Sequence, residues 1–250
     1  MRVPLPQPFL DRPIAHRGYH GPHAPENSRA AFRRAIEAGY PIEMDLQLSA
    51  DGHAKVFHDY HLDRLTSASG AVRQRAAAEL AAIPLVGGSE GIPPFKEVLD
   101  LVAGQVPLLI ELKDQDGAMG PDVGPLETAV AAALAGYEGP VALMSFNPHS
   151  VAECARLLPE VPRGLVTDAF TATSWPNVPE PVRDRLRGIP DADRVEASFI
   201  SHDARDLGRP RVAELKARGL TILCWTIRSP EAEAQARRVA QNVTFEGYAA

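Results

Sequence analysis

The runs VPLLIEL (Val106–Leu112) and LTILCWTI (Leu220–Ile227) decide the fold. Both are short, and both are apolar at nearly every position rather than at every second one. Strict alternation marks a sheet with one wet face. Continuous apolarity marks a strand covered on both faces, as in a parallel sheet packed with helices. Six more short apolar runs lie outward from these two: Pro13–His16, Ile42–Leu48, Val141–Phe146, Gly164–Thr167, Ala197–Ser201 and Val243–Phe245. Helical patterns fall between them at 28–38, 95–103, 122–135, 148–158, 181–187, 210–218 and 230–240. The last three open on a proline, which suits a first helical turn, and the first three stop at a glycine. Strands alternating with helices in this way predict an α/β chain folded as a (β/α)8 TIM barrel. An open doubly wound sheet is the alternative. It would more often carry a glycine-rich fingerprint after its first strand, and none is present.

Two stretches exceed a bare barrel. Residues 49–94 are too long for an ordinary strand-to-helix loop and read as a small insertion after the second strand. VFHD (Val56–Asp59) is expected to add a short strand there, and RQRAAAELAAI (Arg73–Ile83) a helix. Residues 168–196 carry Phe170 and Trp175 and read either as a lid or as a passive surface loop. Otherwise residues 1–250 are expected to form a single domain.

Composition sets limits on partners. Of 250 residues, 45% are hydrophobic and 23% charged, as in ordinary globular proteins. A net charge of −6 argues against a nucleic-acid partner, which demands a basic stripe. The two cysteines, Cys154 and Cys224, read as buried thiols. The first residues lack the apolar core of a signal peptide, and no run reaches the length of a membrane span, so a cytoplasmic location is expected. The oligomeric state is left open.

The chemistry concentrates between His16 and Asp59, with one addition on the third strand. Residues two apart in a strand share a face. Glu43 with Asp45, and Glu111 with Lys113, therefore point the same way. Both pairs are expected near the C-terminal ends of their strands, which in barrels form the catalytic rim. His16 should end the first strand beside them. Three close carboxylates cannot all stay ionised without a cation, and an all-oxygen set suits Mg²⁺ or Ca²⁺. Arg17 and Lys113 complement an anionic substrate group. His16 and His58 have the intrinsic basicity of a proton donor and acceptor pair.

Each residue alone has a plainer explanation. A rim carboxylate can anchor a loop, and Glu111 with Lys113 can be a structural ion pair. On three consecutive strands together, such explanations are hard to sustain. His20, His23, His53 and His61 sit in polar loops and are expected at the surface. His202 could reach the mouth but reads better as structural. Phe146, Phe170, Trp175 and Trp225 could wall the leaving-group side, with Trp225 taken as a substrate contact. Ser145 is the one hydroxyl near enough to be considered as a nucleophile.

Arranged in order, these residues resemble the glycerophosphodiester phosphodiesterase family. The shared motifs are HRG (His16–Gly18), PENS (Pro25–Ser28), EMD (Glu43–Asp45), DGHAKVFHDYHLDRLT (Asp51–Thr66) and ELK (Glu111–Lys113). The later CWTI (Cys224–Ile227) is similar to the family's aromatic seventh strand. The resemblance implies an eight-stranded barrel and a divalent metal, Mg or Ca, held by Glu43, Asp45 and Glu111. It implies His16 and His58 as acid and base, with Arg17 and Lys113 on the phosphate. It implies cleavage of a small-molecule glycerophosphodiester to glycerol 3-phosphate and an alcohol. A cyclic phosphate, formed by the neighbouring glycerol hydroxyl, is proposed in such enzymes. Competing activities are a lysophospholipase D-like or cyclising lyase reaction, and a non-catalytic barrel that binds a polyol phosphate. The chain departs from the family pattern at Ser28, which stands for Thr, and at its end. There QNVTFEGYAA replaces the usual acidic motif, so Glu246 has no assigned role.

Overall fold

A computed structural model describes residues 2–250. Eight parallel strands form a closed ring: β1 (Ile14–Ala15), β2 (Ile42–Leu48), β4 (Leu108–Leu112), β5 (Val141–Ser145), β6 (Arg163–Thr167), β7 (Phe199–Asp203), β8 (Thr221–Ile227) and β9 (Asn242–Phe245). The ring closes because β1 pairs with both β9 and β2, at Ile14↔Thr244 and Ala15↔Ile42. That closure excludes the open sheet. The remaining strand, β3 (Ala54–Val56), pairs antiparallel with the far end of β2 and lies outside the ring.

Helices fall where the patterning puts them: α1 (Arg29–Ala38), α3 (Phe95–Val102), α4 (Pro125–Leu134), α5 (Pro148–Leu157), α6 (Glu180–Arg187), α7 (Pro210–Ala217) and α8 (Pro230–Ala236). Ser28 caps α1 by accepting from the Ala31 amide, and Gly39 ends it in the left-handed conformation. Between strands and helices lies one continuous core that includes Ile42, Met44, Ile110, Ile200 and Val243. A second core fills the barrel from inside: Ile14, Leu109, Ala142, Met144, Val166, Phe199 and Leu223, closed from below by Phe9. Asn242 fixes that plug by donating to the carbonyls of Phe9 and Arg12, both at 2.7 Å. Gly164 faces Phe199 across the β6–β7 pair, and a Cβ there would sit 2.3 Å from the phenyl ring. The glycine makes room for the largest side chain of the barrel floor.

In the insertion, β3 ends at Val56, so VFHD is strand only at its first residue. The next residues turn inward over the barrel mouth, which frees His58 from ladder pairing. The expected helix shrinks to a 3₁₀ turn at Val72–Gln74 and α2 (Ala77–Ala82). This segment has its own small core of Phe57, Leu62, Val72, Leu80, Leu85 and Ile92. No helix among the described residues is long and apolar enough to cross a membrane.

Candidate active site

Register explains how the carboxylates meet. Asp45 lies level with Glu111 across the β2–β4 pair, and Glu43 lies one step lower, level with Leu109. Their carboxylate oxygens come within 4.8 Å of one another. All three side chains are buried. Glu43 is only the second residue of β2, because that strand runs on past the barrel to pair with β3. Glu111 and Asp45 therefore stand at the C-terminal end of β4, as expected, while Glu43 lies one layer deeper in the barrel. The short β1 brings His16 down to the same level, with Nε2 4.0 Å from Glu43 Oε2.

Two cations and a backbone turn hold this cluster. Lys113 Nζ sits 2.8 Å from Asp45 and 2.6 Å from Glu111. Arg17 Nε lies 3.3 Å from Asp45, and the Arg17 amide donates to Glu43 at 2.9 Å. The HRG triplet makes this possible. Arg17 and Gly18 both adopt positive φ, and a Cβ on Gly18 would meet Ala31 and Phe32 of α1 at 2.9 Å. Only glycine lets the turn pass that close. PENS works at every polar position. Glu26 accepts from Arg17 at 2.6 Å, Asn27 donates to Asp45 at 2.9 Å, and Ser28 caps α1. The PENS motif carries the family resemblance, but the contacts of Glu26 and Asn27 cannot be read from it.

Electrostatics divides the carboxylates. Burial, with the anions of Asp45 and Glu111 close by, pushes Glu43 well above the usual carboxylate range. Burial acts on Asp45 too, but Lys113, His58 and Arg17 outweigh it and hold that group well below. Glu43 is thus the carboxyl least satisfied by protein cations. An added divalent ion would relieve it, and hard oxygen donors fit Mg²⁺ or Ca²⁺.

The histidines are held from opposite sides. His16 Nδ1 lies 2.5 Å from Glu246 Oε2, and Arg228 donates to the other Glu246 oxygen at 2.8 Å. His58 Nδ1 lies 2.6 Å from Asp59. Arg64 grips Asp59 with two donations, at 2.7 and 2.8 Å, and grips Glu26 as well. In each ring a carboxylate placed to accept a hydrogen bond from Nδ1–H favours the tautomer that leaves Nε2 free. Burial lowers the His16 pKa to about 4, against the opposing pull of Glu246. The hydrogen bond with His16, with the His20 ring 3.5 Å away and Arg228 close by, in turn holds Glu246 far below its ordinary value.

Several expectations need correction. His20 is no surface residue: its Nε2 stands 3.5 Å from Glu246, because the HRG turn folds the following loop back over the last strand. Glu246, without a role in the sequence reading, is the partner of His16; its place just after the final apolar run was the available hint. Ser145 is buried, and its hydroxyl donates to the Leu112 carbonyl at 2.7 Å, so it has no freedom to attack. His202 is wholly buried beside Thr167, in a structural role. Of the four aromatics, Phe146 and Trp225 line the cavity. Phe170 and Trp175 pack behind Phe146, with ring centroids 6.2 and 4.9 Å away. The 168–196 segment therefore backs Phe146 through a satellite core of Met119, Phe170, Val178 and Leu186, and does not itself border the cavity.

His16, Arg17, Glu43, Asp45, His58, Glu111, Lys113 and Trp225 thus all border one cavity of about 180 Å³. The model of the glycerophosphoryl diester phosphodiesterase family matches residues 16–244. The chain belongs to this family. A glycerophosphodiester phosphodiesterase from Caldanaerobacter subterraneus is 32% identical over 172 residues, covering 65% of this chain and 69% of its own. One from Bacillus subtilis is 29% identical over 235 residues, covering 86% and 76%. Among solved structures, a phosphodiesterase from Oleispira antarctica in complex with the product sn-glycerol-3-phosphate superposes with a TM-score of 0.76. It is 26% identical and covers 95% of this chain and 93% of that one.

Proposed function

We propose that this cavity cleaves glycerophosphodiesters to glycerol 3-phosphate and an alcohol, by acid–base catalysis between two histidines. Membership of the family supports the reaction. The observation that carries the division of labour is the pairing of each imidazole with its own carboxylate on opposite sides of one carboxylate cluster. Glu43, Asp45 and Glu111 would hold the divalent metal, Mg or Ca. When bound, the ion would withdraw charge from the phosphoryl oxygens. Arg17 and Lys113 would bind the same oxygens. His16, kept unprotonated at neutral pH by burial, is placed to take a proton from the attacking hydroxyl. His58 is left to protonate the departing alcohol oxygen. Glu246 and Asp59 keep the two rings in the tautomers this requires.

The cavity is small beside the ~300–1,000 Å³ of typical ligand pockets. That fits a compact polyol phosphate, the part that glycerophosphodiesters and lysophospholipids share. Cleavage by the whole chain is expected to operate as one catalytic unit, residues 1–250. Part of the same reading is a cytoplasmic site of action, to which the two buried free thiols, Cys154 and Cys224, are suited.

The test is an activity assay on soluble glycerophosphodiesters and on micellar lysophospholipids, with and without chelator, following glycerol 3-phosphate and cyclic phosphate. Release of glycerol 3-phosphate that stops on metal removal and returns with Mg²⁺ or Ca²⁺ supports the proposal. Faster turnover of the micellar substrate would move the assignment to the lipid reaction, and binding without turnover to a non-catalytic barrel.

A further inference from the structure

The cavity has a charged side and an apolar side, and two hydroxyls at its inner end belong to neither. Ser201 lies on β7 two residues after Phe199 of the barrel floor and so faces inward, while Ile200 packs against the surrounding helices. Thr244 lies on β9, two residues after Asn242, which plugs the barrel, and opposite Ile14. Both residues line the cavity. They are 0% and 1% exposed, and neither Ser201 Oγ nor Thr244 Oγ1 has a hydrogen-bond partner. Comparable buried hydroxyls nearby are committed: Ser145 to the Leu112 carbonyl, and Thr167 to His202.

A buried hydroxyl left unpaired costs ~1–3 kcal/mol. Two such groups in one cavity point to a ligand that supplies the missing partners. The Ser201 carbonyl accepts from the Trp225 indole at 3.0 Å. The residue therefore fixes the aromatic wall through its backbone and keeps its hydroxyl free. Each of these hydroxyls can both donate and accept, and an alcohol hydroxyl of a ligand answers both capacities. The phosphate has its own partners in Arg17 and Lys113, which line the same cavity.

We infer that Ser201 and Thr244 read the hydroxyls of the glycerol end of the substrate, and so set the preference for glycerol over simpler alcohols esterified to the same phosphate. This inference rests on the phosphodiesterase reading of the site. In a site built to hydrogen-bond a substrate hydroxyl, an analogue lacking it leaves the protein groups unpaired, and discrimination is large.

The test compares a glycerophosphodiester with the matching 2-hydroxyethyl phosphodiester. The latter keeps the hydroxyl next to the phosphate and lacks the distal hydroxymethyl group. Wild type should prefer the glycerol ester. In Ser201→Ala and in Thr244→Val the ratio of the two kcat/KM values should fall ~3–10-fold, the worth of one neutral hydrogen bond. Calorimetry gives a second readout: the variants should bind glycerol 3-phosphate more weakly, while inorganic phosphate binds as to wild type. An unchanged substrate ratio in both variants overturns the inference, and so does an equal loss on both substrates. Melting curves identify a variant that has failed to fold, and the other variant then decides. Were wild type inactive on both esters, the phosphodiesterase reading would fail on its own, and the calorimetric comparison would still judge the two hydroxyls.

Discussion

The two histidines differ in what holds them. His16 belongs to the barrel: it follows β1, its side chain is 12% exposed, and its partner Glu246 follows β9, the strand next door. His58 belongs to the insertion: its side chain is 31% exposed, and its partner Asp59 is its own neighbour in sequence. One ring is fixed by the closure of the barrel, the other by a short loop clamped from outside. The clamp is Arg64, which joins Asp59 to Glu26, and Glu26 joins it to Arg17. The insertion thus meets the barrel through a line of alternating charges that ends at the carboxylate cluster. On the acid–base reading proposed above, one proton-transfer group would belong to the barrel scaffold and the other to a loop held by Arg64.

The largest effect should come from the cluster both halves share. Glu111→Gln and Glu43→Gln should each lower turnover by ~10³ or more, because a bound metal supplies several kcal/mol of charge stabilisation. Raising Mg²⁺ should recover part of the loss, and the melting temperature without metal should stay near wild type. Full activity in metal-stripped wild-type enzyme would break the shared-cluster picture at once.

Next come the two rings. His16→Ala and His58→Ala should each lose at least ~10² in turnover. If both serve one coupled step, the double variant should lose less than the product of the single losses. A full product would mean that the two halves act separately.

A smaller effect distinguishes the halves. Replacing a group that orients a functional ring costs ~10–100-fold. Glu246→Gln and Arg64→Met should both fall in that range, but with different signatures. With His16 at about 4, kcat/KM should hold its plateau as pH falls and decline only as pH passes through about 4, where the base becomes protonated. Glu246 raises the His16 pKa, so Glu246→Gln should move this limb to lower pH. Arg64→Met should leave the limb in place and instead speed hydrogen exchange around residues 57–62. A limb that moves in Arg64→Met and stays in Glu246→Gln would reverse the assignment of the two clamps.

The barrel was legible because its signals are local. Each strand is a short apolar run, and most barrel-helix boundaries carry a proline, a cap or a glycine. The carboxylates and Lys113 were legible for the same reason, since spacing by two fixes a shared face. Depth was not legible. Nothing in EMD shows that β2 continues into a hairpin, so Glu43 was expected at the rim and lies inside. Partners were not legible either. Glu246 meets His16 across 230 residues, and His20 reaches Glu246 only because Arg17 and Gly18 turn the chain back. Nor does PENS show that the Asn27 side-chain amide donates to Asp45 on another element.

The smallest expected effect tests whether the insertion, like the barrel at Glu43, keeps an electrostatic cost of burial. Lys55 on β3 is fully buried, yet its ammonium reaches only the Ala77 carbonyl, at 3.4 Å. Burial, with Arg29 nearby, lowers its pKa from 10.5 to about 8. Below about pH 8 both folded and unfolded chains hold the proton, and the folded chain bears the full cost of burying it. Between about 8 and 10.5 the unfolded chain binds more protons than the folded one, so stability should rise with pH across that window. Lys55→Met removes the ammonium and keeps the volume. It should be more stable than wild type at pH 7 by about 1 kcal/mol, with the difference shrinking toward pH 10.5. Denaturant melts of both proteins at pH 7 and pH 10 decide it. Equal stabilities at pH 7, or a gap that widens with pH, would mean that Lys55 is better satisfied than its single carbonyl contact implies.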